Sequence, residues 1–298
     1  MTSLAVFSPP LKALYDVPAP AKLNLFLHIT GRRPDGYHLL QSALMLIDWC
    51  DTLHFELRND GQISRADLPD LATASPAEAL PAEDLTVRAA RALQAACGTS
   101  LGVHIGLEKR IPSQAGMGGG SSDAASCLLA LQRLWGLRLP PQELLAIALS
   151  LGADVPFFLS GGNAWVEGIG EKISPLDLPP ASFVVIKPAT GIATGDIFTA
   201  PELKRNTETA TIKGFAAYGG GQIFGFGYND LQPVAQRLCP QISQTLDWLE
   251  SQQLQGRMTG SGSAVFAQIL HDADLAVAPG DWKVRKCKNL QIHPLAGW

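Results

Sequence analysis

The chain has 298 residues, 46% of them apolar and 17% charged, with a net charge of −4. That is enough for one large or two ordinary domains with a full core. It excludes a nucleic-acid binder, which needs a concentrated basic face; the basic spots at residues 31–33 and 283–288 are too short to supply one.

The five cysteines (Cys50, Cys97, Cys127, Cys239 and Cys287) are scattered, odd in number and form no C-x-x-C pair. They argue against a disulfide framework or zinc site and fit a reducing cytosol. With no basic-then-apolar leader and no apolar run of the ~18–20 residues that span a bilayer, the expectation is a cytoplasmic protein with no membrane partner. Composition leaves monomer and homodimer both open.

In chain order, residues 9–20 are proline-rich and read as an irregular lead-in. Residues 21–30 alternate and read as a strand, with Lys22, Asn24 and His28 on one side and Leu23, Leu25, Leu27 and Ile29 on the other. A turn follows at 31–36. Residues 39–47 are apolar and ambiguous, 51–57 read as a strand, and 59–82 as a polar surface excursion. Residues 85–96 carry Ala89, Ala92, Leu93 and Ala96 at helical spacing, with Gly98 to close the helix. Residues 101–107 alternate again, and His104 within them is read as structural.

Gly116, Gly118, Gly119 and Gly120, then Ser121 and Ser122, precede a helical stripe of Leu128, Leu131, Leu134 and Trp135 that Gly136 ends. Pro140-Pro141 opens another helix, stopped at Gly152. Residues 161–173 read as a hairpin with a Gly-Gly pair at its turn. A pause near 177–180 and a fresh strand at 183–187 put a domain boundary between residues 1–176 and 177–298. Residues 207–228 are polar and glycine-rich; Gly219-Gly220-Gly221, with no strand before it and no capped helix after it, reads as a flexible loop. A helix over 233–252 interrupted by Pro240, a strand at 264–270 and a basic C-terminal strand close the chain. Strands and helices mix without strict alternation, so the fold class is α+β rather than a doubly wound sheet.

Four glycines in five residues let backbone N–H groups turn toward a ligand with no Cβ in the way. A helix start behind them adds unpaired donors and a partial positive end. Ser121 and Ser122 either cap that helix or bind phosphate and the water shell of its Mg²⁺. The loop is not a Walker A motif, because Gly-Lys-Ser/Thr is missing, and not a dinucleotide fingerprint, because the third glycine position is Ser121.

The run from Pro112 through Gly116-Met117-Gly118-Gly119-Gly120-Ser121-Ser122-Asp123 resembles the phosphate loop of the GHMP kinases. Residues 20–27 with 31–38, residues 152–158 and residues 257–264 resemble further motifs of one branch, which phosphorylates a cytidine-diphosphate-linked methylerythritol. The resemblance spans most of the chain. It implies an N-terminal domain like domain 2 of ribosomal protein S5, a ferredoxin-like C-terminal domain, and ATP with Mg²⁺. The implied reaction is transfer to the 2-hydroxyl of 4-diphosphocytidyl-2-C-methyl-D-erythritol in the non-mevalonate isoprenoid route. Another GHMP small-molecule kinase and a non-enzymatic nucleotide-binding regulator of the same fold stay open.

Phosphoryl transfer asks a protein for alignment, charge neutralisation and a base. The resemblance makes Asp154 that base, with Lys22 its partner; a helix-terminal cap is the alternative for Asp154. Asn24, on the Lys22 face of its strand, is placed to hold the substrate hydroxyl. Tyr37 and His38 offer an aromatic plane and a ring with donor and acceptor, suited to a pyrimidine. The resemblance makes them cytosine contacts, with Phe198 as a second stacking ring and Thr194 as a further substrate contact. Pro112, Gly116–Ser122, Leu85 and Lys109 are assigned to ATP, and Gly260 and Gly262 to a second turn near the phosphates. Lys109 has two readings, close to the nucleotide or at a strand end on the surface. Asp84 stands where the family has Asn; a carboxylate cannot donate as an amide does, which leaves the backbone of Leu85 for adenine. No Asp/Glu/His cluster marks a metal cage, as is normal for Mg²⁺ held by phosphates and water.

Overall fold

The computed structural model describes residues 9–70, 79–270 and 273–298; the middle of the predicted surface excursion lies outside them. The first sheet contains β1 (Ala13–Arg32), β2 (His38–Arg58), β3 (Ile63–Leu68), β4 (Gly102–Glu108), β5 (Ala164–Gly168) and β6 (Lys172–Pro175). Its path runs β3-β4-β2-β5-β6 with β1 paired to β2, and every pairing is antiparallel except β3 with β4. The second sheet has β7 (Ser182–Lys187), β8 (Arg257–Met258), β9 (Val265–Ile269) and β10 (Lys283–Lys288), in the antiparallel order β10-β7-β9-β8.

The helices are α1 (Leu85–Cys97), α2 (Gly119–Leu134), α3 (Pro141–Leu151), α4 (Val155–Leu159), α5 (Thr194–Thr199), α6 (Ile212–Ala216), α7 (Gln232–Leu238) and α8 (Pro240–Ser251). The fold is α+β.

Strand alternation builds three cores. Leu44 and Leu46 of β2 face α1–α4, while Ala43, Met45 and Ile47 point the other way into an aromatic layer between the sheets with Phe183, Val185 and Phe266. The opposite face of β7, Val184 and Ile186, packs with Val234, Ala235, Ile242 and Leu249 of α7 and α8. Fully burying one such side chain contributes roughly 1.5–3 kcal/mol. The layers are therefore helices, sheet, sheet, helices. The chain end returns to the first half: Leu290 N donates to Leu46 O at 2.8 Å, and Leu295 is buried against the first helical layer.

Several segments depart from the sequence expectation. The proline-rich lead-in belongs to β1, with Pro18 opposite Thr52 and Pro20 opposite Cys50; an edge strand tolerates the missing N–H. The two stretches at 39–47 and 51–57 are one strand. Residues 63–68 of the surface excursion form β3 beside β4. The β5–β6 turn lies at residues 168–171, where Ile169 N donates to Glu171 Oε2 at 2.6 Å, and the Gly161-Gly162 pair precedes β5 instead. The triple glycine leads into a 3₁₀ turn over Gly220–Gly225.

The most consequential departure is on β1. Register shifts between Pro20 and Lys22 and between Asn24 and Phe26 break its alternation, as β-bulges do. Leu23, Leu25 and Phe26 therefore share the inter-sheet core, while Leu27 and Ile29 swing into the core of the second half. His28 goes with Phe26, 4.8 Å ring to ring, and not with Lys22 and Asn24 as simple alternation had it.

His293 near the chain end is 2% exposed, and burial pulls its pKa down to about 4. An unfolded histidine titrates near 6.5, so above that pH both states are neutral and the group has no effect on stability. As pH falls from about 6.5 toward about 4, the unfolded state takes up the proton first and stability is lost, by about 3 kcal/mol at the lower end. Urea unfolding at pH 7 and pH 4.5 should show His293→Asn losing less stability than the parent across this window.

Candidate active site

Eighteen of the residues singled out from sequence line one cavity of about 980 Å³ between the two halves. Ser122 is the exception; it is fully buried behind the wall, and its hydroxyl has no hydrogen-bond partner.

The glycine loop forms one side of the cavity. The N-cap of α2 is Gly118, in left-handed conformation at φ 72°, with no side-chain cap. The capping role considered for the serines is thus not used, because the helix begins at Gly119 and the serines already lie inside its first turn. The first backbone bond back along the helix is Ser122 N to Gly118 O at 2.9 Å. The amides of Gly119, Gly120 and Ser121 come before it and have no intrahelical acceptor, and all three residues line the cavity. A Cβ on Gly118 would lie 3.0 Å from the Phe158 ring and 3.2 Å from Lys22 Cγ.

The second glycine turn meets the first backbone to backbone. A Cβ on Gly116 would lie 2.3 Å from Thr259 O, and one on Gly260 would lie 2.6 Å from Gly116 O. Ser263 N donates to Gln114 O at 3.0 Å and Ala264 N to Ala115 O at 3.2 Å, completing the seam. β1 is stitched to both turns: Lys22 N donates to Met117 O at 2.9 Å, and Asn24 N donates to Thr259 Oγ1 at 2.9 Å.

Lys22 Nζ lies 3.7 Å from Asp154 Oδ2; the lysine side chain is 4% exposed and the aspartate 40%. Burial pulls the Lys22 pKa down, and Asp154 acts in the opposite direction. The ammonium also donates to Asn24 Oδ1, while Asn24 Nδ2 donates to Ser42 Oγ at 2.8 Å and Ser42 Oγ to Phe26 O at 2.5 Å. Asn24 thus orients Lys22, with both ends of its amide already engaged inside the protein. Asp154 precedes α4 but makes no side-chain cap bond, so its carboxylate is left to Lys22 and the cavity.

Lys109 is buried, contrary to the surface alternative. It pairs with Asp51 and with Asp123 Oδ2, the latter at 2.8 Å. Burial opposes its charge, but Asp123 and Asp51 together outweigh that and hold its pKa above the ordinary lysine value. Burial pushes the Asp123 carboxyl up, against the pull of Lys109. Asp84 caps α1, accepting from Val87 N at 3.0 Å, and pairs with Arg65 Nη1 at 2.6 Å. Its carboxylate is committed to helix and strand, which accounts for an acid here.

Of the other residues lining the cavity, Tyr37 is 61% exposed, and the His38 and Phe198 rings lie 5.0 Å apart. Thr194 Oγ1 bonds Ser261 Oγ at 2.7 Å. Sequence reasoning missed Asp51, Asp123, Ser42, Arg65 and Arg205. Their partners lie up to 167 residues away, and no local pattern marks such pairs.

The GHMP kinases N-terminal domain model matches residues 84–162, and the GHMP kinases C-terminal model matches residues 216–278. The chain is 80% identical to 4-diphosphocytidyl-2-C-methyl-D-erythritol kinase of Polaromonas naphthalenivorans over the whole of both chains. It is 66% identical to the protein of that name from Albidiferax ferrireducens, covering 97% of this chain and 96% of that one. A crystal structure of 4-(cytidine 5′-diphospho)-2C-methyl-D-erythritol kinase superposes with a TM-score of 0.71 at 32% identity, covering 91% and 98% of the two chains.

The glycine seam is testable by substitution. Gly116→Ala and Gly260→Ala each combine a positive φ, 69° and 54°, with a Cβ against backbone, and each should cost at least about 2 kcal/mol in urea unfolding. Gly225→Ala, with no neighbour within 4 Å of its added carbon, should leave stability unchanged.

Proposed function

This chain belongs to the GHMP kinases, in the family of 4-diphosphocytidyl-2-C-methyl-D-erythritol kinases, and we propose that it transfers the γ-phosphoryl group of ATP to the 2-hydroxyl of 4-diphosphocytidyl-2-C-methyl-D-erythritol. The observation that carries this reading is the Lys22–Asp154 pair on the same cavity wall as the open start of α2. The same cavity offers unpaired amides for phosphate oxygens, and Tyr37, His38 and Phe198 for a pyrimidine.

The substrate 2-hydroxyl oxygen attacks the γ-phosphorus, the bond to the β-phosphate oxygen breaks, and ADP leaves with that electron pair. Asp154 takes the hydroxyl proton, and Lys22, oriented by Asn24, stabilises negative charge on the attacking oxygen. The amides of Gly119, Gly120 and Ser121 neutralise phosphate charge without reorganising, as preorganised donors do. Leu85 and Pro112 supply apolar wall for the adenosine, and Lys109 stiffens the loop from behind through Asp51 and Asp123. Thr194 and Ser261 line the substrate side, next to the turn of Gly260 and Gly262.

Among the described residues no three His, Cys, Asp or Glu side chains gather as a metal cage. A Mg²⁺ ion suits this site as one carried in by the nucleotide phosphates and water, with the Ser121 hydroxyl as the side-chain oxygen at the helix start; when bound, it would neutralise phosphate charge. We place the domain division at residues 176/177, supported by the gap between β6 and β7. A cytoplasmic setting is supported by five free thiols and by the lack, among the described residues, of a helix long and apolar enough to cross a membrane.

The test is ADP release with 4-diphosphocytidyl-2-C-methylerythritol beside the CDP-free methylerythritol phosphate. Turnover is expected with the first alone, and no ADP from it would refute the reading. Asp154→Asn should lower kcat by about 10²–10⁴-fold, the range of general-base contributions. Its stability should change by less than about 1 kcal/mol, because the pair is partly exposed at the aspartate. A kcat near the parent value would remove Asp154 from the base role.

A further inference from the structure

His38 is held from outside the cavity. Its Nε2 accepts a hydrogen bond from Arg205 Nε at 3.0 Å. The same guanidinium donates from Nη2 to Ala200 O at 2.7 Å and Phe198 O at 3.2 Å, and from Nη1 to Leu203 O at 2.9 Å and Pro201 O at 3.4 Å. A guanidinium has five N–H donors, so each has an acceptor and none is left for a ligand. Arg205 does not line the cavity, whereas His38 and Phe198 both do. One arginine thus ties the histidine at the start of β2 to the backbone of the segment that carries the second base-stacking ring.

The bond also determines where the His38 proton resides. Arginine donates and never accepts, so Nε2 must present its lone pair. A ring nitrogen that accepts from arginine carries no proton, so the ring has one proton only and is neutral; burial, Arg205 and Arg32 push the His38 pKa down in the same sense. With Nε2 occupied as acceptor, that proton is on Nδ1.

We propose that Arg205 is a positioning residue that fixes His38 as the Nδ1–H tautomer, so that the base pocket presents a ring donor and selects cytosine over uracil. The proposal rests on the cytidine-diphosphate substrate reading above. Cytosine has an acceptor at ring N3, whereas uracil has an N–H there, and donor against donor leaves both groups unsatisfied in a confined site.

The first measurement is long-range ¹⁵N–¹H NMR of the ligand-free, histidine-labelled full-length protein, with the His38 signals assigned from His38→Gln. A proton on Nδ1 is expected; a proton on Nε2 would overturn the proposal. The second is steady-state kinetics with CDP-linked and UDP-linked methylerythritol. Arg205→Met should raise KM for the CDP substrate by about 10- to 100-fold, the worth of one well-placed hydrogen bond, with a smaller change in kcat. It should also reduce the CDP-over-UDP preference in kcat/KM by a similar factor. Arg205→Lys keeps a cationic donor group, with three N–H donors in place of five, and should recover part of both effects.

A loss confined to kcat with the preference unchanged is the result of a merely structural residue and would sink the idea. If Arg205→Met does not fold, the wild-type spectrum and the Arg205→Lys preference decide by the same criteria. Wild-type protein that turns over neither pyrimidine substrate overturns the specificity claim through the substrate reading, and an Nδ1 proton would then support the tautomer claim alone.

Discussion

Two glycine turns, with Gly116 and Gly260 separated by 144 residues in sequence, touch through bare backbone, and the rest of the site depends on that contact. Gly116 has no room for a Cβ against Thr259 O, nor Gly260 against Gly116 O. The seam holds the entry to α2 and joins the two halves of the chain. It also fixes β1, because Met117 O accepts from the Lys22 amide and Thr259 Oγ1 from the Asn24 amide. The open start of α2, the Lys22–Asp154 pair and the facing turn thus share one frame, and the phosphoryl transfer proposed here would depend on such alignment more than on any covalent help from the protein.

The second constraint is the broken alternation of β1. A regular strand would send Lys22, Asn24, Phe26 and His28 to one face. The bulges instead leave Lys22 and Asn24 at the cavity and return Phe26 to the inter-sheet core, so a single strand supplies polar groups to the site and apolar groups to two cores. A buried ammonium is costly unless paired. Here Asn24, Ser42 and the Phe26 carbonyl form a chain of hydrogen bonds behind Lys22, and Asp154 faces it from the wetter side.

A second buried lysine is treated differently. Lys109 sits between Asp51 and Asp123, and its charge is consumed inside the protein. Asp51 Oδ1 also accepts from the amides of Arg110 and Ile111 at 2.6 and 2.7 Å, just ahead of the glycine loop. Lys22 keeps an exposed partner and Lys109 has two buried ones, so the first suits chemistry at the cavity and the second suits holding the loop. Asp84 belongs with the holding groups, since α1 and Arg65 take up its carboxylate.

The proposed phosphate loop was legible from local backbone demands alone, since glycines before a helix start leave amides free for a ligand. Gly-Tyr-His at residues 36–38 and Gly-Ala-Asp at 152–154 were singled out through the family resemblance, and the structure brings all three segments to one cavity. Helices α1 and α2 were legible through the 3-4 spacing of their apolar residues, α3 through the Pro140-Pro141 pair that opens it, and all three through the glycines that stop them. The proline-rich half of β1, the side on which His28 falls and the position of the hairpin turn were not. Edge pairing, bulges and turn geometry are settled by the partner strand and not by the segment itself. The polar groups that support the site were equally out of reach: Asp51 meets Lys109 across 58 residues, and Arg205 meets His38 across 167. A side chain's own identity sets what it can bond to. Which distant group it meets, and therefore whether a lysine is spent on structure or left for the cavity, is decided when the two halves close on each other.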